Sequence, residues 1–420
     1  MSQSINLYNQ LANHKLFNKT VNFNLKRIKF ALEKLDHPEK KLSNVIQIIG
    51  SDGKFSVLRS LRFFIEENNQ TVSTHVSPSL TDIRERFWMG DKYLSYIEIK
   101  KTIKKIEKLK IPLTIYEVLT LVFIINASIK KNDYCILEAG CLWRLDSNNV
   151  IDFPLKQVIV NINKQHLNFL KKKTLNEVIL QKVGFLSQFT KIHVGKQKFF
   201  VLKRIKHLLK NNSSSVSYSK NWKLVKIKGD FFYKDKKTKI RLNTKYIHSL
   251  GLLENLCMAI NIGLDLKIKK KVIEKAIPKI HFPGRIDYLD KGRLKKKLSK
   301  KERILIDGCH SETSAKNLAN YLKTLNEPIY GIWAMTKNKS PDKFIKQFRG
   351  IFKKIITINI ENESASLSNK FLLNIARQNN YKSEMAHNFS QAIKKISSKE
   401  KKVICIFGSL YLCGNVLNKN

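Results

Sequence analysis

The sequence predicts an α/β protein of two domains, and three observations predict it. Short β-rich runs alternate with longer amphipathic helical patterns, the order that builds parallel sheets covered by helices. The alternation breaks at His281-Phe282-Pro283-Gly284, where a helical stretch ends at a Pro-Gly pair, a basic loop follows, and the β/α rhythm restarts from Ile304. The chain has 420 residues, enough for two or three separate cores at roughly 150 residues per domain. The expectation is a larger N-terminal domain, residues 1–283, and a smaller C-terminal one, residues 284–420, with the cleft between them as the default ligand site.

Taken in order, the first strand expected is Val45 to Ile49 (VIQII), which runs straight into a glycine-containing turn. Thr71 to Val76, Tyr134 to Leu137, Val158 to Ile162 and Ile192 to Val194 follow, each a short run rich in β-branched or aromatic residues. Helical stretches lie among them at Ile97 to Leu109, Leu175 to Phe189 and His248 to Ile262. Trp222 to Leu242 reads as a small antiparallel meander. Beyond the boundary the strands expected are Ile304 to Ile306, Ile329 to Trp333, Ile355 to Ile360 and Val403 to Phe407, with a helix over Ala315 to Leu325. No internal repeat is visible.

Composition excludes several classes. With 43% hydrophobic residues the chain is neither a disordered tail nor a small stapled scaffold. The longest apolar stretch, around Val118 to Ile129, is shorter than the roughly 20 residues a bilayer helix needs and is flanked by Glu117 and Lys130. The N-terminus mixes Asn, Gln and Lys with no apolar core before a small-residue cleavage site, so a cytoplasmic protein is expected. Six cysteines show no C-x-x-C spacing and sit mostly in apolar runs, as reduced thiols do. Neither a zinc site nor a disulfide framework is expected.

The 79 Lys and Arg against 33 Asp and Glu give a net charge of +46, which attracts phosphate and raises nucleic acid as a partner. Yet the lysines are spread along the whole chain, Ile and Asn are abundant, and Gly (16) and Pro (8) are scarce, which is the bias of an AT-rich genome. Runs such as Leu294 to Lys301 (LKKKLSKK) read as solvated loops. A basic nucleic-acid-binding protein is kept as a rival reading.

The sharpest local motif is Ile49-Gly50-Ser51-Asp52-Gly53-Lys54-Phe55-Ser56, between a strand and a helix. Glycines let backbone N–H groups approach a phosphate, a helix N-terminus favours negative charge, and Lys54 can reach the outer phosphates. The motif departs from a Walker A loop, with Phe55 after the lysine and the first glycine missing. By itself it is equally an ordinary glycine turn.

Further motifs carry a resemblance. Asn44 to Ser56 resembles the GTNGKGS loop of the folylpolyglutamate synthase and dihydrofolate synthase family, members of the Mur ligase superfamily. Val76-Ser77-Pro78-Ser79-Leu80 with Arg84-Glu85-Arg86 is similar to its TSPHL…ERI segment, Thr114-Ile115-Tyr116-Glu117 with Thr120 to T-x-F-E-x-x-T, and Leu137-Glu138-Ala139-Gly140 with Arg144-Leu145-Asp146 and Asn149 to LEVGLGGRLDATN. His166 stands at the histidine of the DH motif, and Gln181-Lys182-Val183-Gly184 is similar to EKAG. Glu254-Asn255, Phe282-Pro283-Gly284-Arg285 (FPGR), Asp307-Gly308-Cys309-His310 (DGAHNP) and Phe407-Gly408-Ser409-Leu410-Tyr411-Leu412 follow in the family's order. The resemblance spans nearly the whole chain and identifies a divergent member.

It implies an N-terminal P-loop, Mur-ligase-like domain with a parallel sheet and a small antiparallel meander, and a C-terminal Rossmann-like ligase domain. It further implies an ATP- and Mg²⁺-dependent enzyme, expected as a monomer with no membrane or nucleic-acid partner. That enzyme would join L-glutamate to dihydropteroate or folate through an acyl phosphate. Gly50, Ser51, Asp52, Gly53, Lys54, Phe55 and Ser56 would form the phosphate loop, with Ser56 on the nucleotide magnesium. Ser77, Glu138 and His166 would hold a second magnesium, Lys182 would be carbamylated, and Thr120 and Arg144 would face the substrate. Asn255, Arg285, Asp307 and His310 would hold adenine, ribose and phosphates. Lys54, Lys182 and His166 are the catalytic set.

The departures are specific. Phe55 replaces a loop glycine, where a side chain restricts φ and crowds the phosphates. Ser79 replaces His, Gln165 replaces Asp, Leu142-Trp143 replaces a glycine pair, and Ser311-Glu312 replaces Asn-Pro. They define a second rival: a homologue that has lost one activity or all catalysis.

Overall fold

The computed structural model describes residues 3–20, 22–337 and 339–420. It divides into two compact units, Met1–Lys245 with Leu253–Ile280 and Tyr246–Leu252 with His281–Asn420. The assignment of 246–252 to the second unit is invisible in a linear reading. It follows from contacts such as His248 stacked on Tyr321 and Asn317 hydrogen-bonded to Ser249.

The first unit holds a seven-stranded sheet built from β1 (Val45–Ile49), β2 (Val72–His75), β3 (Phe87–Met89), β4 (Tyr134–Glu138), β5 (Lys156–Ile159), β6 (Lys191–Val194) and β7 (Ser215–Tyr218), in the order β3-β2-β4-β1-β5-β6-β7. All neighbours are parallel except β3, which runs antiparallel to β2 at one edge. Every residue of β1, β4 and β5 is buried. Two-sided burial is what makes such strands read as continuous apolar runs rather than alternating ones. A separate meander, β8 (Trp222–Ile227), β9 (Asp230–Asp235) and β10 (Lys239–Arg241), is antiparallel throughout.

The second unit carries β11 (Asp287–Tyr288), β12 (Glu302–Asp307), β13 (Ile329–Trp333), β14 (Phe352–Thr357), β15 (Ser383–Met385) and β16 (Lys402–Phe407), ordered β11-β12-β16-β13-β14-β15 and parallel apart from β11. Its core gathers Trp333, Phe344, Phe348, Phe352 and Phe407 among the helices and sheet.

The apolar stretch near Val118 lies in the helix Ile115–Lys130, buried in the core of the first unit. Its start is fixed by a capping box in which Thr114 and Glu117 satisfy each other's backbone N–H groups. No helix among the described residues is long and apolar enough to cross a membrane.

Several elements end short of expectation, among them the strand over Ile355, which stops at Thr357, and the helix over Ala315, which stops at Leu322; two others end for visible local reasons. The strand expected at Val158 to Ile162 ends at Ile159, because the chain beyond it leaves the sheet and Asn161 O accepts from Ser51 N–H at 2.8 Å. The helix from Leu175 stops at Val183, where Gly184 caps it instead of continuing to Phe189. In the first sheet β1 lies between β4 and β5, while the chain leaves β1 to form β2. This is a topological switch point, and α/β sheets bind ligands at the carboxyl ends of strands there.

Candidate active site

The loop leaving β1 is shaped by its two glycines. Gly50 has φ 147° and no room for a Cβ against Val160, while Gly53 has φ 98° and a Cβ there would lie 2.7 Å from the Asn255 amide. Only glycine tolerates both constraints. The helix Lys54–Glu67 starts directly after Gly53, so its first N–H groups face the loop. Lys54 is buried and its Nζ donates to Gly50 O (3.4 Å) and Ser51 O (3.2 Å), folded back over the cradle. The Ser56 hydroxyl donates to Gly53 O and accepts from Asn255 Nδ2, both at 3.0 Å. Asn255 and Ser56, distant in sequence, therefore meet at one point.

Phe55 does not restrict the loop as expected. It is the second residue of the helix, its φ is not positive, and its ring faces the Arg59 guanidinium at 5.8 Å. Asp52, a carboxylate in a phosphate-type loop, is turned toward the chain following β5. Asn163 Nδ2 donates to one of its oxygens at 2.5 Å and Gln165 Nε2 to the other at 3.1 Å. The Ser51 hydroxyl also engages both backbone groups of Asn163.

At the carboxyl end of β4, Glu138 is buried and accepts from Ser77 N–H at 3.3 Å. The Ser77 hydroxyl accepts from Arg86 at 3.1 Å. His166 sits at φ 60° in the loop that carries Gln165, its ring near Phe169. Among the described residues no three His, Cys, Asp or Glu side chains form a metal cluster. The oxygen donors present still suit Mg²⁺, which takes one or two carboxylates and fills its shell with phosphate oxygens and water.

Lys182 is only 1% exposed. Its Nζ donates to Gly50 O at 2.8 Å and Cys141 O at 2.5 Å, joining the loops after β1 and β4. Burial, reinforced by the neighbouring Lys54 charge, brings this amine down to about 7. Asp146 lies in the same field, and burial pushes its carboxyl up to about 6. It accepts from Gly140 N–H (2.8 Å) and Asn148 N–H (3.0 Å), while Asn148 Nδ2 donates to the Tyr116 hydroxyl and to Glu138 O, each at 3.0 Å. These contacts set the path of the β4 loop.

Two further residues fall differently from expectation. Thr120 is wholly buried, its hydroxyl bonded to Tyr116 O and Ser147, which does not fit the substrate contact expected of it. Trp143 is also wholly buried, packed with Ile49, Leu142, Ile159 and Val178 in the core rather than filling the loop. Arg144, by contrast, is exposed, with its guanidinium 4.5 Å from the Phe185 ring centroid.

In the second unit, Asp307 is buried at the end of β12 and accepts from Ile286 N–H and Cys309 N–H, both at 2.8 Å. Burial raises its carboxyl against the opposing pull of Arg285. His310 Nδ1 donates to Gly308 O at 2.9 Å, and Ile286, a β-branched residue, is held at φ 49°. The structure thus gathers Arg285, Asp307 and His310 on adjoining loops of this unit, and gathers Gly50 to Ser56, Asn255 and Lys182 in the other. Sequence reading missed the positioning roles of Asn163, Asp146 and Asn148. Asn163 and Asn148 are uncharged amides in loops, and the resemblance had supplied Asp146 only as a motif letter.

Residues 290–419 match the family model described as dihydrofolate synthetase, C-terminal domain. Over 424 residues the chain is 24% identical to the dihydrofolate synthetase of Saccharomyces cerevisiae, covering 94% of this chain and 97% of that protein. The structure is similar to that of E. coli FolC solved with DHPP and ADP, at 18% identity and TM-score 0.86, covering 99% of this chain and 97% of that one. It is similar also to a bifunctional folylpolyglutamate synthase/dihydrofolate synthase solved with Mn, AMPPNP and L-glutamate, at 18% identity and TM-score 0.84, covering 100% and 98%. These structural likenesses show the fold.

Proposed function

We infer that this chain, which belongs to the family of dihydrofolate synthases and folylpolyglutamate synthases, is an ATP-dependent ligase that joins L-glutamate to the carboxylate of a dihydropteroate or folate acceptor. The observation that carries the reading is the cradle at the switch point. There Gly50 and Gly53 lead into a helix N-terminus whose first N–H groups have no intrahelical acceptor, with Lys54, Ser56 and Asn255 beside it.

A carboxylate is a poor acylating agent. Transfer of the γ-phosphoryl group of ATP to an acceptor oxygen gives an acyl phosphate; the amine of glutamate then attacks its carbonyl and expels phosphate. Phosphoryl transfer needs positioning and charge neutralisation above all. Lys54 supplies a fixed positive charge at the loop, and the loop N–H groups receive phosphate oxygens without reorganising. Mg²⁺ would supply neutralisation and orientation of those oxygens; Ser56 would hold the ion on the nucleotide, and Ser77 and Glu138, with His166 from the neighbouring loop, would hold a second one. Lys182 has the amine that carbamylation requires, since only a neutral amine adds CO₂ and an amine brought down to about 7 is substantially neutral near neutrality. Arg144 is open to an acceptor or glutamate carboxylate. Arg285, Asp307 and His310 are assigned to the nucleoside.

The degenerate-homologue rival loses its two strongest supports, because Phe55 keeps a helical backbone and Trp143 packs in the core. The six free thiols fit a reducing cytoplasm. The test is phosphate release with ATP, L-glutamate, acceptor and Mg²⁺ omitted in turn. Release should require all four, and Lys54→Ala should lower it roughly a hundredfold with the fold intact. Acceptor-independent release, or unchanged turnover in Lys54→Ala, overturns the reading.

A further inference from the structure

The first unit contains a cavity of about 360 Å³ that none of the chemistry above uses. It opens among the Phe199–Leu208 helix, the end of β7, the start of β8 and the Leu250–Asp265 helix. Its rim carries Lys196, Lys206, Lys220 and Lys223, and its walls include the rings of Tyr218 and Trp222. The single acid in the lining, Glu254, is already paired with Lys196 at 2.5 Å. Three lysines therefore remain without a carboxylate in the cavity, one of them, Lys206, placed 5.5 Å above the Tyr218 ring. Four lysines line one concave, partly apolar space. Such convergence raises the energy of the empty protein and is relieved by an anion.

We propose that this cavity is a binding site for a small organic anion built on one planar ring system with two or more negative charges. The rings and Leu202 and Leu224 supply apolar contact for the planar part, and the lysines neutralise the charged part. The volume lies near the lower end of ligand pockets, roughly 300 to 1,000 Å³, and fits a mononucleotide or an aromatic polycarboxylate. None of the residues Gly50 to Ser56 lines the cavity. Glu254 lines the cavity, while its neighbour Asn255 points its amide at Ser56.

Trp222 provides the readout. The full-length protein is titrated with 5′-AMP and with benzene-1,3,5-tricarboxylate, following tryptophan fluorescence and, in parallel, calorimetry; the two probes separate the nucleotide from the polycarboxylate source. At least one should bind saturably and quench, and Trp222→Phe should retain calorimetric binding while losing the quench. Tripolyphosphate, which lacks a ring, and adenosine, which lacks charge, should each bind at least roughly tenfold more weakly. Lys206→Glu with Lys223→Glu should weaken binding by roughly tenfold or more while leaving melting temperature and acceptor-dependent phosphate release unchanged. The proposal is overturned by absence of saturable binding of both probes, by binding indifferent to the double charge reversal, or by binding abolished when AMPPNP and Mg²⁺ saturate the phosphate loop. That last outcome would assign the cavity to the nucleotide site and leave the ligase reading standing.

Discussion

Lys182 and Asp52 show what single residues of this site contribute and how far each could be read beforehand. The resemblance pointed to Lys182, but only the structure gives a reason for its amine to give up its proton easily: burial and the adjacent Lys54 charge. A lysine in the unfolded chain holds its proton to about 10.4, whereas this one releases it near 7. Carbamate formation, in which the neutral amine bonds to CO₂ carbon and a proton leaves, should therefore rise with pH through about 7 at fixed dissolved CO₂. Intact mass measured across pH 6 to 8 in bicarbonate checks this, and Lys182→Ala should be nearly inactive but partly restored by a short-chain carboxylic acid. The sequence marks Gln165 as a departure from the family's Asp and passes over Asp52, which stands opposite the Asn of GTNGKGS. In the structure they are one hydrogen bond of 3.1 Å with donor and acceptor exchanged. Gln165→Asp should then set two carboxylates face to face and raise the KM for ATP, and adding Asp52→Asn should recover most of the loss. The coupling in that cycle should be about 1 to 3 kcal/mol; additive effects would mean the pair does not position the loop.

At the scale of elements, the strands that sequence reading found and those it missed divide by position in the sheets. The interior strands β1, β4, β13 and β16 are buried on both faces and read as continuous apolar runs. The four not anticipated, β3, β7, β11 and β15, are the outer strands of the two large sheets and only two to four residues long. Short edge strands owe their conformation to a neighbour's free backbone groups more than to their own side chains, so little of them is written locally. The join between β5, β6 and the Leu250–Asp265 helix was equally hidden. There Asp265 meets Lys156, Lys191 and His193, and Lys156 is itself buried. Burial alone would raise the Asp265 carboxyl, but the nearby His193 and hydrogen bonds from Lys156 and Lys191 hold it well below the usual range. The unfolded chain takes up this proton near pH 3.9 while the folded one does not, so the contribution is present above that value and is lost as pH falls below it. Asp265→Asn leaves the Lys156 ammonium buried without its carboxylate, and should lower stability at neutral pH by roughly 3 kcal/mol or more. Chemical denaturation at pH 7 and pH 3 should show a smaller difference between variant and wild type at the lower pH.

For the whole molecule, the ordered motif set made the two-unit α/β architecture and the glycine turn after β1 legible, while the net charge of +46 carried no such message. The charge is distributed over both units, and the acids that are present are largely committed to ion pairs and caps, as with Glu67 between Lys275 and Lys279 or Glu384 between Lys354 and Lys395. An excess spread this way attracts polyanions through counterion release alone, which is steeply dependent on salt and indifferent to sequence. Binding of RNA or DNA should therefore fade by orders of magnitude between about 50 and 200 mM salt, with no preference among sequences. The proposed ligase chemistry would rest on a preorganised cradle instead. Its charged groups are mostly buried and screened far less by mobile ions. Phosphate release that requires both L-glutamate and a pteroate or folate acceptor should accordingly persist across the same range. Running the two titrations side by side on one preparation separates the readings. Tight, salt-resistant, sequence-selective nucleic-acid binding without acceptor-dependent turnover would make the basic surface the function, and the cradle at β1 a relic of the fold. Turnover that survives while polyanion binding collapses would assign the charge to composition and the chemistry to Lys54, Glu138 and Lys182.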